Sequence, residues 1–400
     1  SGKTTLSMIL SSLIPEFVEG ELEGKVYPEG DMKDRMDKYT LVPQNSGEFI
    51  LSETVEDEIS FPLESLGIGR EEMKERVEKA LSFWGLQHLR EASTSELSGG
   101  EKRRLMLSTS LVTEPDFVIY DESFDDLDVS WREVLKKHIE TSGEASVVMA
   151  SRFISYFDSL FNRIYLLENG ELKEWKGEGA VIPRPAAVKG RKNNRLECRN
   201  ITFTHPRRSS NTPPFILEVD DFSLESGEVV ALMGPNGSGK STFSRLLCGL
   251  DDMERGSIVI DGKECRKEDL GRSVGYMFQN PDYQIFLPTV KDELSYSLSF
   301  LKISEKEKEK RLEETASLFS LDLSDTASLM SYGERKRLQS AIYYSLDRPF
   351  YILDELDSAL SYKESVSILQ RLSEKGAGIL LITHDEEFAK AVAGRRYRAQ

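Results

Sequence analysis

The sequence predicts an α/β fold in which two phosphate-binding units follow one another along the chain, and three observations predict it. A glycine-rich loop, Gly234-Pro-Asn-Gly-Ser-Gly-Lys-Ser-Thr242, joins the apolar strand-type run Glu228-Val-Val-Ala-Leu-Met233 to Phe243-Ser-Arg-Leu-Leu-Cys248, which has helical spacing. Two further apolar runs, Phe117-Val-Ile-Tyr-Asp-Glu122 and Phe350-Tyr-Ile-Leu-Asp-Glu355, each end in an acidic pair. Five motifs recur in one order at offsets of 233–237 residues, which marks a duplicated unit.

Strand, glycine loop and helix form the context that a phosphate-binding loop needs. Gly234, Gly237 and Gly239 let the backbone wrap a phosphate chain, with Asn236 and Ser238 between them, and the helix start adds positive potential. Lys240 can reach the β- and γ-phosphates, the Ser241 hydroxyl can hold Mg²⁺, and Thr242 completes the loop. The chain itself opens at Ser1-Gly-Lys-Thr-Thr5, read as the end of a second such loop whose first glycine and strand are expected upstream. Gly2, Lys3, Thr4 and Thr5 are its nucleotide-binding candidates, and Thr4 is its Mg²⁺ hydroxyl.

The repeat continues through Leu41-Val-Pro-Gln-Asn45 and Thr54-Val-Glu-Asp-Glu58, matched by Met277-Phe-Gln-Asn280 and Thr289-Val-Lys-Asp-Glu293. Gln44 and Gln279 are thereby paired. Helical periodicity runs from Glu71 to Leu89 through Met73, Val77, Ala80, Leu81 and Trp84, and again from Glu305 to Phe319, where the Lys/Glu run reads as a solvated face. Next come Glu96-Leu-Ser-Gly-Gly-Glu-Lys-Arg-Arg104 and Leu329-Met-Ser-Tyr-Gly-Glu-Arg-Lys-Arg337. Lys176 to Asn194, with Gly177, Gly179, Pro183, Pro185 and Gly190, reads as an exposed linker. The expected domains are therefore 1–175, with its N-terminus truncated, and 195–400. Within the second, Leu196 to Thr204 and Gly256 to Gly262 read as strands.

Composition narrows the function classes. At 39% hydrophobic and 30% charged residues the chain can build sizeable cores, and its net charge of −17 argues against a protein that grips nucleic acid through a broad basic surface. Cys198, Cys248 and Cys265 are scattered without metal-ligand spacing. No signal peptide and no apolar run of about 18 residues is found, so work at a membrane would need other subunits to span it.

The acidic pairs carry the chemistry. Asp354 and Asp121 can hold Mg²⁺ through its water shell, while Glu355 and Glu122 can polarise the attacking water. Leu380-Leu-Ile-Thr-His-Asp385 is a strand ending in His384, which can contact the γ-phosphate. Ser98, Gly99, Gly100 and Glu101 open a basic helix and form a second anion-binding surface, as do Ser331 and Gly333 in the other half. Such a surface would serve a P-loop facing it across an interface, so the halves are expected to form an internal pseudo-dimer.

This set of motifs resembles the nucleotide-binding domains of ATP-binding cassette (ABC) proteins, twice over. The resemblance implies tandem P-loop NTPase domains of ABC type, each with a RecA-like core, an antiparallel β subdomain and a helical subdomain, using ATP and Mg²⁺. It implies catalytic roles for Glu355, His384, Gln279 and Glu122, Mg²⁺ contacts from Gln279 and Gln44, and His205 as an adenine-stacking candidate. Gln279-Asn-Pro-Asp-Tyr-Gln-Ile-Phe-Leu-Pro-Thr-Val290 is similar to the same stretch of energy-coupling factor (ECF) transporter ATPases. That similarity implies an importer motor on the cytoplasmic face of the cell membrane, with a membrane T-component and a substrate-binding S-component for a vitamin or a metal ion. A soluble twin-cassette ATPase acting on ribosomes or nucleic acid is the alternative, although such proteins usually carry a long charged helical linker. An export motor is disfavoured by the lack of fused spans.

The resemblance also implies unequal sites. Arg152 stands where a switch histidine is expected, Tyr332 replaces the first signature glycine, and Ser361 replaces the aspartate that the first half keeps as Asp128. In a head-to-tail pair all three departures fall on the site of Lys3, Asp121 and Glu122, and the site of Lys240, Asp354, Glu355 and His384 is intact.

Overall fold

The computed structural model describes residues 2–27, 38–44, 47, 49–125, 127–150, 160–168, 170–175, 182–185, 194–204, 215–235, 237–358 and 360–399. The chain forms two compact units, Ser1–Ala180 and Val181–Gln400.

In the first unit, α1 (Lys3–Leu10) follows Gly2, which is left-handed at φ 88°. Strands β1 (Tyr39–Val42), β2 (Phe117–Asp121) and β3 (Ala145–Met149) form a parallel sheet in that order. Between β1 and β2 lie α2 (Val55–Ser65), α3 (Arg70–Phe83) and α4 (Gly99–Leu111). Ile59, Leu63, Leu81, Trp84 and Leu105 join these helices to Val118 and Tyr120 in one core. Helix α5 (Val129–Thr141) precedes β3, and β4 (Tyr165–Glu168) pairs antiparallel with β5 (Glu171–Glu174). Among the described residues this hairpin is the first unit's antiparallel sheet.

The second unit carries the full antiparallel layer. Strands β6 (Arg195–Thr204), β7 (Ile216–Glu225), β9 (Arg255–Ile260) and β10 (Lys263–Glu264) assemble in the order β10-β9-β6-β7. A parallel sheet of order β11-β12-β13-β8-β14 lies in the same unit. Its strands are β8 (Val229–Met233), β11 (Val274–Met277), β12 (Phe350–Asp354), β13 (Gly378–Ile382) and β14 (Arg395–Arg398). Strands β11, β12 and β13 are buried at every position and β8 at all but its last, which is why they read as unbroken apolar runs rather than as alternation. Helix α6 (Lys240–Leu247) follows β8 and α7 (Lys267–Ser273) precedes β11. Then come α8 (Val290–Ser299), α9 (Glu305–Leu318), α10 (Tyr332–Leu346), α11 (Tyr362–Glu374) and α12 (Glu386–Val392).

The helix expected over 71–89 is shorter than its periodicity suggests. Gly85 takes φ 62°, Leu86 N donates to Leu81 O and Gly85 N to Ser82 O, so a Schellman turn ends α3 at Phe83. A short 3₁₀ turn over Gln87–Leu89 carries the remaining apolar positions. Helix α9 ends through the same pair of bonds, with Ser320 in the left-handed position.

Candidate active site

Parallel register places the predicted chemistry of the second unit on one edge. Asp354 pairs with Ile382, Ile382 with Leu232, and Met277 with Leu353. The P-loop, Asp354-Glu355, Thr383-His384 and the Gln279 segment therefore all leave the carboxyl ends of adjacent strands, where open α/β sheets bind ligands.

The loop after β8 needs its glycines. Gly239 sits at φ 88°, and a Cβ there would lie 2.8 Å from the Phe215 ring; at Gly234, φ 150°, it would lie 2.7 Å from Ala399 O. Lys240 Nζ donates to Gly234 O at 2.9 Å and Pro235 O at 2.8 Å, so its ammonium lies against the loop's own carbonyls. Ser238 Oγ is buried with no hydrogen-bond partner among the described residues. Ser241 is exposed on the first turn of α6, while Thr242 is buried.

Glu355 leaves β12 with φ 48°, and its N–H donates to Ile382 O at 3.0 Å. This left-handed kink turns its carboxylate toward the neighbouring strand ends. Gln279 Nε2 donates to Glu355 Oε2 at 3.0 Å, and His384 Nε2 lies 3.6 Å from Glu355 Oε1. Asp354 accepts from Tyr276 Oη at 2.7 Å. Burial pushes the Asp354 carboxyl above the usual range, opposed by Tyr276 and by the charges of Lys336 and Lys240. A buried carboxylate of this kind is suited to a neighbouring cation.

The first unit repeats the arrangement with differences. Glu122 has φ 50° and its N–H donates to Met149 O at 2.9 Å, the same kink as at Glu355. Its carboxylate, however, pairs with Lys3 Nζ at 3.3 Å. Asp121 accepts from Ser7 Oγ at 3.1 Å, and its other oxygen, Oδ1, is buried without a hydrogen-bond partner among the described residues. Burial raises its pKa, with Thr4, Ser7 and Lys3 opposing. Gln44 is engaged through its carbonyl, which accepts from the buried Arg103, as does Pro43 O at 2.7 Å.

A set of one carboxylate, one hydroxyl and one amide per unit fits Mg²⁺, which keeps waters and substrate oxygens for its other positions. No group of three or more His, Cys, Asp or Glu that could hold a metal occurs among the described residues.

The signature segments begin helices in both units. Ser98 caps α4, with Glu101 N donating to Ser98 Oγ and the Glu101 carboxylate accepting from Ser98 N at 2.8 Å. Ser331 and Glu334 form the same box at α10. Glu101, expected among the nucleotide contacts, is thus engaged in the cap, and the groups that remain for an anion are the N–H groups of Gly99 and Gly100 at the helix start. Gly333 lies in the first turn of α10. Asp128 and Ser361, the pair that differs between the halves, cap α5 and α11. His205, Asn236 and Arg152 lie outside the described residues, as does most of the linker.

Two roles were missed from sequence. Glu58 accepts from Leu51 N at 3.0 Å and Ser52 N at 2.7 Å, and Glu293 accepts from Phe286 N and Leu287 N, both at 2.5 Å. The last residue of each Thr-Val-x-Asp-Glu motif thus holds the loop beyond the Gln segment. Tyr276, the second, has Leu41 as its counterpart in the repeat, so no motif marks it.

The ABC transporter family matches residues 1–125 and 217–358 of the chain. A Treponema denticola protein named "Putative ABC transporter ATP-binding protein" is 29% identical over 431 residues, covering 98% of this chain and 86% of that protein. A Methanosarcina acetivorans protein of the same name is 28% identical, covering 98% and 77%. The solved structure of RNase-L Inhibitor matches in fold across 100% of this chain and 81% of its own, with a TM-score of 0.64 at 19% identity. Two P-loop units with the Gln, signature and Asp-Glu segments in family order, a His segment in the second, and a family match over both, place this chain in the ABC transporter family of ATP-binding proteins.

Proposed function

We propose that this chain is the ATP-hydrolysing motor of an importer of the energy-coupling factor type, acting through separate membrane subunits at the cytoplasmic face of the membrane. The observation that carries the proposal is an exposed aromatic face just beyond Gln279. Tyr283 is 76% exposed, Phe286 67% and Phe300 63%, and Tyr296 stacks edge-on between Phe286 and Phe300 at 5.5 and 5.1 Å. In the first unit Leu51 and Phe61, at the positions matching Phe286 and Tyr296, are also exposed. Contiguous exposed apolar surface of this kind suits a protein partner. None of the described helices is long and apolar enough to cross a membrane, so the spanning partner is assigned to other chains. The T- and S-components and a vitamin or metal-ion substrate are carried by the ECF-like stretch around Gln279 alone. The fold likeness to RNase-L Inhibitor, at 19% identity, speaks for fold and not for a ribosomal role.

In the proposed reaction Lys240, Ser238 and the loop N–H groups hold the ATP phosphates. Glu355 takes the proton of a water whose oxygen attacks the γ-phosphorus, and the bond to ADP breaks to release phosphate. His384 and Gln279 orient Glu355 and the water. Mg²⁺, held by Ser241, Asp354 and Gln279, would neutralise charge on the phosphates; Thr4, Asp121 and Gln44 are the first unit's equivalents. The second unit's set is the hydrolytic one. The first unit's set, with Glu122 paired to Lys3 and Arg152 at the histidine position, mainly binds nucleotide.

Cysteines introduced at Tyr283 and Phe286 in the full-length protein should cross-link to a multi-spanning membrane protein in native membranes. Recovery of the protein free of membranes, with no membrane protein captured from either position, would contradict the importer reading.

A further inference from the structure

Tyr332 occupies the place where the first unit's signature has Gly99, and its obvious consequence is to crowd an approaching phosphate. The structure gives it a second one. Its hydroxyl donates to the Gln279 carbonyl at 3.1 Å. One turn later Lys336 Nζ donates to the same oxygen at 2.6 Å and to Phe278 O at 3.2 Å. Gln339 Nε2, a further turn on, donates to Phe278 O at 3.1 Å. Positions 332, 336 and 339 share one face of α10, so one helix face grips two consecutive peptide carbonyls of the Gln segment.

Among the described residues, the first unit shows a smaller version of this grip. Arg103, at the position of Lys336, holds Pro43 O and Gln44 O, but Gly99 and Met106 stand at the positions of Tyr332 and Gln339 and bring no side-chain donor. The difference matters because the Gln279 side chain leaves the same residue and donates to Glu355 Oε2 at 3.0 Å. A carbonyl fixed by a phenol and an ammonium fixes its peptide plane, and with it the direction in which the amide can reach the carboxylate.

We propose that Tyr332 is a positioning residue for hydrolysis: it clamps the Gln279 peptide so that the Gln279 amide holds Glu355 in register. The substitution that weakens one signature segment thereby strengthens the Gln segment of its own unit. This inference rests on the role of Glu355 proposed above.

The test is steady-state ATP turnover of the full-length protein. Tyr332→Phe removes only the hydroxyl and should lower kcat by roughly 3–10-fold with KM for ATP unchanged, the worth of one hydrogen bond expressed in a barrier. In a Gln279→Ala background the same change should alter kcat by less than about twofold, because the route to Glu355 is already cut. Tyr332→Gly should also lose turnover although it restores the signature glycine. Wild-type kcat in Tyr332→Phe, an equal loss in the Gln279→Ala background, or a gain in Tyr332→Gly would each overturn the proposal. Glu355→Gln run alongside separates the two levels. Turnover surviving there overturns the parent reading and this inference with it; turnover lost there but unchanged in Tyr332→Phe overturns this inference alone.

Discussion

Replacing Glu293 with alanine should loosen the loop that carries Phe286. Glu293 is buried at 2% exposure and its carboxylate is the acceptor for Phe286 N and Leu287 N. A hydrogen bond to a charged group contributes about 1.5–3 kcal/mol, and both donors lie on a surface loop where water recovers part of the loss, so the pair should contribute about 2–4 kcal/mol. For a unit of this size that corresponds to a fall in Tm of about 4–16 °C. Glu293→Gln keeps a carbonyl acceptor and should cost no more than about 1 kcal/mol. The pH dependence separates the two variants further. Burial raises the Glu293 carboxyl above the ordinary glutamate range, with the two backbone donors opposing. A raised native pKa means that the native state binds the proton more tightly. Stability therefore falls as pH climbs from the ordinary glutamate value to the raised one and is level above it. Glu293→Gln should remove that slope. Differential scanning calorimetry reads the stability, and amide exchange at Phe286 and Leu287 reads the anchor itself. A Glu293→Ala protein that melts within 1 °C of wild type (an offset below ~0.5 kcal/mol), with unchanged exchange at both amides, would refute the reasoning.

Two other outcomes follow from the P-loop and its surroundings. Gly239→Ala should abolish ATP binding measured by fluorescent-nucleotide titration, because φ 88° is costly for an L side chain and the new methyl meets the Phe215 ring at 2.8 Å; binding of wild-type affinity would show that the loop has another conformation. Burial pushes the Cys248 thiol up to about 11 and the Cys198 thiol higher still, whereas Cys265 is partly exposed. Iodoacetamide at pH 8 should therefore label Cys265 and reach the other two only on unfolding, read by mass spectrometry of the peptides.

The parts legible in the sequence were those whose chemistry dictates residue type. Phosphate wrapping needs glycines at 234, 237 and 239, and a buried parallel strand ending in Asp-Glu reads as an apolar run with an acidic stop. Strand order, by contrast, is set by long-range pairing and left no local mark. Apolar spacing continues across Gly85, so periodicity alone extends the helix to 89, and only the left-handed geometry there shows the stop. The grips of Lys336 and Arg103 on the Gln segments are side chain to backbone over about sixty residues, so neither partner's identity is constrained locally. The duplication held part of this information. Glu58 and Glu293 end the same motif, and 103 and 336 are both cationic, although nothing in one half alone says what they hold.

Hydrolysis at Glu355 is the central step of the proposed function. ATP turnover of Glu355→Gln and Glu122→Gln, compared in the full-length protein, tests it most directly. Glu355→Gln should lose roughly 10²–10⁴-fold, the usual worth of a positioned general base, while still binding ATP, and Glu122→Gln should keep most of its turnover. Near-wild-type turnover in Glu355→Gln would contradict the assignment.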